Sequence, residues 1–143
     1  MIFRSATSAD TQAIALLLSD LGYPSSIDAI RLRYENIFDH NDYKTLLAID
    51  NYGSVVGMVG MLQSLSYEHN GKYVRILAMV VSQENRNKGI GKLLINEAEL
   101  WAKEIGADKI VLNSGNRQER EGAYIFYHKM GFEIKSSGFI KKL

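Results

Sequence analysis

The chain has 143 residues, of which 46% are hydrophobic and 23% charged, with no cysteine and a formal net charge of +1. Such a length suffices for one domain that buries roughly two thirds of the surface its unfolded form exposes. The missing cysteines exclude disulfides, thiol catalysis and cysteine-based zinc sites, and the near-neutral balance argues against a general nucleic-acid binder, which carries a strongly basic face.

Residues 2–4 (Ile-Phe-Arg) predict a short strand, and Thr7 with Asp10 three positions on has the form of a capping box opening a helix. Ile14, Leu17, Leu18 and Leu21, at i, i+3, i+4 and i+7, give that helix one buried face. Gly22 and Pro24 punctuate the chain. A second helical stripe then runs through Ile27, Ile30, Tyr34, Ile37 and Phe38 behind the candidate caps Ser25 and Ser26. This helical pair is either plain scaffold or one wall of a substrate site.

Residues 44–50 read as a strand, Asn51, Tyr52 and Gly53 supply a turn, and a second strand begins near Ser54. Its Gly57 and Gly60 mark a bulge or a close approach by another backbone. The Glu-His-Asn-Gly turn at residues 68–71 leads into the third strand of an antiparallel meander, residues 73–81. This strand is apolar apart from Arg75, so it is expected to be central and covered on both faces.

Residues 79–94 (Met-Val-Val-Ser-Gln-Glu-Asn-Arg-Asn-Lys-Gly-Ile-Gly-Lys-Leu-Leu) read as strand, loop and helix N-terminus. A helix N-terminus turns unpaired N–H groups and the positive end of its dipole outward, which suits a phosphate. Gly89 and Gly91 remove the side chains that would hold an anion off, and Arg86, Lys88 and Lys92 add positive charge. The helix continues through Ile90, Leu93, Leu94, Ala98, Trp101 and Ile105, with Gly106 as its C′ residue. Residues 109–112 form a short buried strand and residues 113–118 a polar stretch. A helix then carries Ala123, Phe126, Tyr127 and Met130 and ends at Gly131, and residues 132–142 read as a final hairpin around Ser136, Ser137 and Gly138. No repeat or linker interrupts residues 1–143, so one domain is predicted.

A P-loop needs a glycine where Arg86 stands and a hydroxyl residue where Leu93 stands, and a dinucleotide fingerprint needs a third glycine in place of Leu94. Neither motif is present. Taken alone, the two glycines are equally consistent with a tight strand-to-helix turn. With Arg-Asn-Lys-Gly-Ile-Gly at residues 86–91 and Ala-Tyr-Ile-Phe-Tyr-His-Lys-Met-Gly-Phe at residues 123–132, however, the chain resembles the GNAT family of N-acetyltransferases over nearly its whole length.

That resemblance implies an α/β fold with a mixed, mostly antiparallel central sheet of six to seven strands and four flanking helices. It implies acetyl-CoA as co-substrate, with the pyrophosphate cradled by the backbone of Arg86, Asn87, Lys88, Gly89, Ile90, Gly91 and Lys92. The pantetheine arm would lie along Met79, Val80 and Val81, the Val81 N–H would stabilise the oxyanion, and Tyr127 would protonate the departing thiolate. Asn116 and Arg120 are further expected cofactor contacts. The region around Ser114, Asn116, Arg117 and Arg120 is similar to that of small-molecule members, the aminoalkylphosphonate and aminoglycoside types.

The chain also departs from the family. Residues 73–81 hold no carboxylate, so no general base is identified, and Glu68, His69 and Glu84 read as solvated turn residues. Arg120 replaces an asparagine and Tyr124 a histidine. Arg120 meets either an anion or its neighbours Glu119 and Glu121. His40, His69 and His128 lack metal-ligand spacing, so no metal is expected.

The reading is therefore acetyl transfer to a small primary amine such as an aminoalkylphosphonate, aminoglycoside or polyamine. The alternatives are a protein or peptide acceptor, or a regulatory acetyl-CoA-binding module without turnover. No apolar run is long enough for a membrane span and no leader is evident, so a cytoplasmic protein is expected, with a homodimer compatible with the edge of the final hairpin.

Overall fold

A computed structural model of the chain describes residues 1–114 and 121–143. These fall into two compact units, Met1–Val111 and Leu112–Leu143. The first begins with β1 (Ile2–Ser5), a 3-10 turn (Ser8–Asp10), α1 (Thr11–Leu21) and α2 (Ile27–Phe38). There follow β2 (Tyr43–Ile49), β3 (Val55–Leu65), β4 (Lys72–Val81), a second 3-10 turn (Gln83–Asn85), α3 (Ile90–Glu104) and β5 (Ala107–Leu112). The strands lie in the order β1-β2-β3-β4-β5, and the first four pair antiparallel. Among the described residues this makes five strands, against the six to seven expected.

Local chemistry sets the helix starts. Thr7 and Asp10 form the predicted capping box, and the same Asp10 carboxylate receives two hydrogen bonds from Arg4, at 2.7 and 2.8 Å, tying β1 to the helical segment. Ser26 caps α2 through the Ala29 N–H, whereas Ser25 accepts a hydrogen bond from Arg33. Ile14, Leu17, Leu18, Ile30 and Tyr34 then pack on the sheet face that carries Leu47, Met58 and Val80.

The opposite face belongs to α3. A Cβ at Gly57 would lie 3.1 Å from Leu94 Cδ1, 3.3 Å from the Val80 carbonyl and 3.4 Å from Ile90 Cγ2, so this glycine is the close approach that its sequence suggested. Gly60 marks the other device. It pairs with Ala78, while Met61 pairs with Ile76, so Leu77 is left as an extra residue and β4 bulges there. The bulge qualifies the expectation of a strand covered on both faces: Val74, Ile76 and Val80 are buried, but Leu77 is 50% exposed. β5 also departs from expectation, being partly exposed because it ends the strand order instead of sitting inside it.

In the second unit α4 (Glu121–Lys129) ends in a Schellman arrangement: Phe132 N–H donates to the Tyr127 carbonyl at 3.0 Å and Gly131 N–H to that of His128 at 3.0 Å, with Gly131 at φ +90°. The predicted hairpin at residues 132–142 is not formed; no strand occurs there. Its first arm alternates (Phe-Glu-Ile-Lys) but its second (Phe-Ile-Lys-Lys-Leu) does not, and a two-stranded hairpin without a further partner is marginal in water. The edge expected to suit a homodimer is accordingly not a strand. Among the described residues no helix is long and apolar enough to cross a membrane.

Candidate active site

The C-terminal end of β4 aims its backbone in a defined direction. Gly57 faces Val81 across the ladder, and Ser82 N–H donates to the Val56 carbonyl at 2.9 Å. That bond identifies Gly57 and Val81 as a non-hydrogen-bonded pair, so the Val81 N–H and C=O point away from β3, toward the β5 side. By the two-residue period of the strand Met79 points the same way, while Val80 is turned to Met58 on β3.

Beyond Val81 the chain makes a left-handed turn. Asn87 has φ +62°, a conformation asparagine tolerates better than most residues, and Gly89 has φ +82° as the N-cap of α3. No side chain caps that helix, and its first backbone bond runs from Leu93 N–H to the Gly89 carbonyl. The N–H groups of Ile90, Gly91 and Lys92 therefore precede the first intrahelical donor, that of Leu93. Left-handed residues two apart beside an uncapped helix start form a concavity of N–H groups suited to an anion.

Side chains hold this turn in place, and not in the way the sequence suggested. Arg86 is spent on backbone: its Nε donates to the Val81 carbonyl at 3.3 Å and a terminal nitrogen to the Asp20 carbonyl at 3.1 Å. Asp20 Oδ2 accepts from Gln83 N–H at 3.0 Å, Asn85 donates to Ser82 Oγ, and Lys88 donates to Asn85 Oδ1. Lys92 is exposed in the first turn of α3. Asp20 was invisible to sequence reasoning, since an acid in the last turn of an amphipathic helix has no motif linking it to a loop 63 residues away.

Tyr127 is half-buried on α4, its ring edge-on to Phe126 at 5.3 Å and to Phe132 at 5.7 Å. On the same helix Tyr124 donates to the Ser114 carbonyl at 3.2 Å. Asn116, Arg117 and Arg120 lie outside the described residues. Of the three turn groups, Glu68 has its carboxyl held below the ordinary value of 4.5, by the Ser66 hydroxyl first, then by its own backbone N–H, with lesser help from His69 and Lys109. Among the described residues no group of three His, Asp or Glu side chains is arranged to hold a metal ion.

The bulged strand β4 thus leads through a left-handed turn into a helix start that no side chain caps. The sequence profile of the acetyltransferase (GNAT) family matches residues 11–132. An uncharacterised N-acetyltransferase of Bacillus subtilis is 32% identical, over 87% of this chain and 86% of its own. The aminoalkylphosphonate N-acetyltransferase of Salmonella typhimurium is 30% identical, over 98% of this chain and 90% of its own. A GNAT family acetyltransferase of Staphylococcus aureus, known from its crystal structure, superposes with a TM-score of 0.85 at 35% identity, covering 99% of this chain and 98% of the other. The chain belongs to the GNAT family and is an acetyltransferase.

Proposed function

We propose that this acetyltransferase moves the acetyl group of acetyl-CoA to the primary amine of a small molecule. The observation that carries the reading is the uncapped start of α3, where the N–H groups of Ile90, Gly91 and Lys92 follow two left-handed residues and suit a diphosphate. Arg86, Asn87, Lys88 and Gly89 complete that cradle. Met79, Val80 and Val81 carry the pantetheine arm, with Asn116, Arg120 and Tyr127 as further contacts. Similarity to the Salmonella aminoalkylphosphonate enzyme across nearly the whole chain supports a small acceptor.

The amine nitrogen attacks the thioester carbonyl carbon, and the Val81 N–H, turned away from β3, stabilises the oxyanion. Collapse forms the amide and breaks the carbon–sulfur bond. The thiolate takes its proton from the Tyr127 hydroxyl, and the proton of the attacking amine leaves through water, since β4 offers no carboxylate. Thiol release from acetyl-CoA across a panel of aminoalkylphosphonates, polyamines, aminoglycosides and short peptides tests the reading. Turnover on a small amine is the expected result. Turnover on peptides alone would move the acceptor to proteins, and acetyl-CoA binding without turnover on any amine would make the chain a sensor.

A further inference from the structure

Arg86 brings a positive charge to the glycine turn, yet its guanidinium binds two backbone carbonyls left over where two elements end. The first is that of Asp20, in the last turn of α1. Its ordinary helical donor would be the residue four positions on, and that is Pro24, the one proline of the chain, which has no N–H. The N–H groups of Gly22 and Tyr23 close the helix on the carbonyls of Ser19 and Leu18 instead. Arg86 supplies the donor that the Asp20 carbonyl lacks, at 3.1 Å, and sets its charge at the negative end of the α1 dipole.

The second carbonyl is that of Val81, the last residue of β4, which accepts from Arg86 Nε at 3.3 Å. The peptide group joining Val81 to Ser82 is thereby held from both sides, since its N–H, on Ser82, donates to the Val56 carbonyl at 2.9 Å. The next N–H, on Gln83, goes to the Asp20 carboxylate at 3.0 Å. Rotation about the Val81 backbone would swing the Val81 N–H off the thioester oxygen, and these three bonds oppose it. We propose that the Arg86 side chain is a positioning residue for the oxyanion donor and not a ligand of the cofactor's phosphates. It ties the end of α1 to the end of β4, so that the Val81 N–H keeps its direction while negative charge grows on the oxygen. A displacement of about 1 Å at such a site is enough to cost about 100-fold in rate. The phosphate cradle itself is backbone, so a substitution at residue 86 removes none of its N–H groups. The inference rests on the acetyl-transfer reading above and adds to it a residue that acts on kcat where its sequence suggests an effect on cofactor affinity.

Two variants separate the roles. Arg86→Lys keeps the charge but not the planar fork, and Arg86→Gln keeps a single donor without the charge. Arg86 is exposed, so both are expected to fold. In both, kcat for the best amine of the panel should fall about 5- to 50-fold, while the Kd of CoA, measured by calorimetry, and its salt dependence stay within about twofold of the parent protein's. The infrared band of acetyl-CoA labelled at its carbonyl carbon reports the donor directly: binding to the parent should lower the carbonyl frequency, and both variants should return it toward the free value. Weaker CoA binding with kcat and band unchanged would make Arg86 a phosphate ligand and overturn the proposal, as would an Arg86→Lys protein that matches the parent while Arg86→Gln loses affinity and salt dependence. Turnover by the parent without any shift of the band would also overturn it and leave acetyl transfer standing. A band that shifts in the parent and relaxes in both variants, with no amine acetylated, would uphold the role of Arg86 and reject acetyl transfer.

Discussion

The Tyr127 carbonyl accepts from Phe132 N–H, and the Tyr127 ring lies against Phe126 and Phe132. Tyr127→Phe keeps both of these contacts and removes the proton. Loss of the proposed general acid is expected to lower kcat about 100- to 10,000-fold while leaving acetyl-CoA affinity intact. Stopped assays of thiol release and a binding titration measure the two quantities separately, and full turnover would end the assignment. Gly57 makes a structural prediction of the same kind. A methyl group there meets Leu94 Cδ1 at 3.1 Å and the Val80 carbonyl at 3.3 Å, and the carbonyl cannot rotate away as a side chain does. Gly57→Ala is expected to destabilise the fold by about 1–3 kcal/mol, read as a fall in the urea midpoint.

The turn between β4 and α3 depends on a contact from another element, the last turn of α1. Asp20 anchors it twice, by its carboxylate to Gln83 N–H and by its carbonyl to Arg86. Asp20→Ala removes the first anchor, so KM for acetyl-CoA is expected to rise about 2- to 10-fold with little change in kcat at saturation, and Asp20→Asn, which keeps an acceptor oxygen, should recover most of it. An Asp20→Ala enzyme with unaltered KM would mean that the turn holds its shape unaided. How much of this was legible in the sequence follows from the range of each interaction. Caps, helical stripes and turn glycines act over a few residues, so Thr7, Ser26, Gly106 and Gly131 were readable, and so was the glycine turn itself. The tie from Asp20 and the second role of Arg86 join distant segments and leave no periodic trace. In β4 the uniformly apolar run hid the bulge because alternation had nothing polar to interrupt it, and only Gly60 on the facing strand hinted at it. The final hairpin was misread because one arm alternates and the other does not.

At the scale of the molecule, the Arg4 and Asp10 pair ties the first strand to the helical layer. Asp10 is 7% exposed, and hydrogen bonds from Arg4 chiefly, then from Thr7, hold its carboxyl below the ordinary value of 3.8. A carboxyl whose folded value is depressed contributes stability that is present above the unfolded value and lost as the pH falls through the folded one. The urea midpoint should thus drop as the pH is taken below about 4, and Asp10→Asn should flatten that acid limb while lowering stability near neutrality by about 1–3 kcal/mol. An acid limb of unchanged steepness in the variant would assign it to other carboxylates.

The extra residue at Leu77 also makes β4 sensitive to length. Deleting it would keep every neighbouring side chain yet move either Arg75 or Val80 to the opposite face, turning a charged side chain to the wrong side of the strand or taking an anchor out of the core. Insertions and deletions that the exposed turn at residues 67–71 can absorb are therefore forbidden a few residues further on. Shortened or lengthened variants made across residues 67–81 should divide sharply into tolerated and lost on either side of that strand's first pairings.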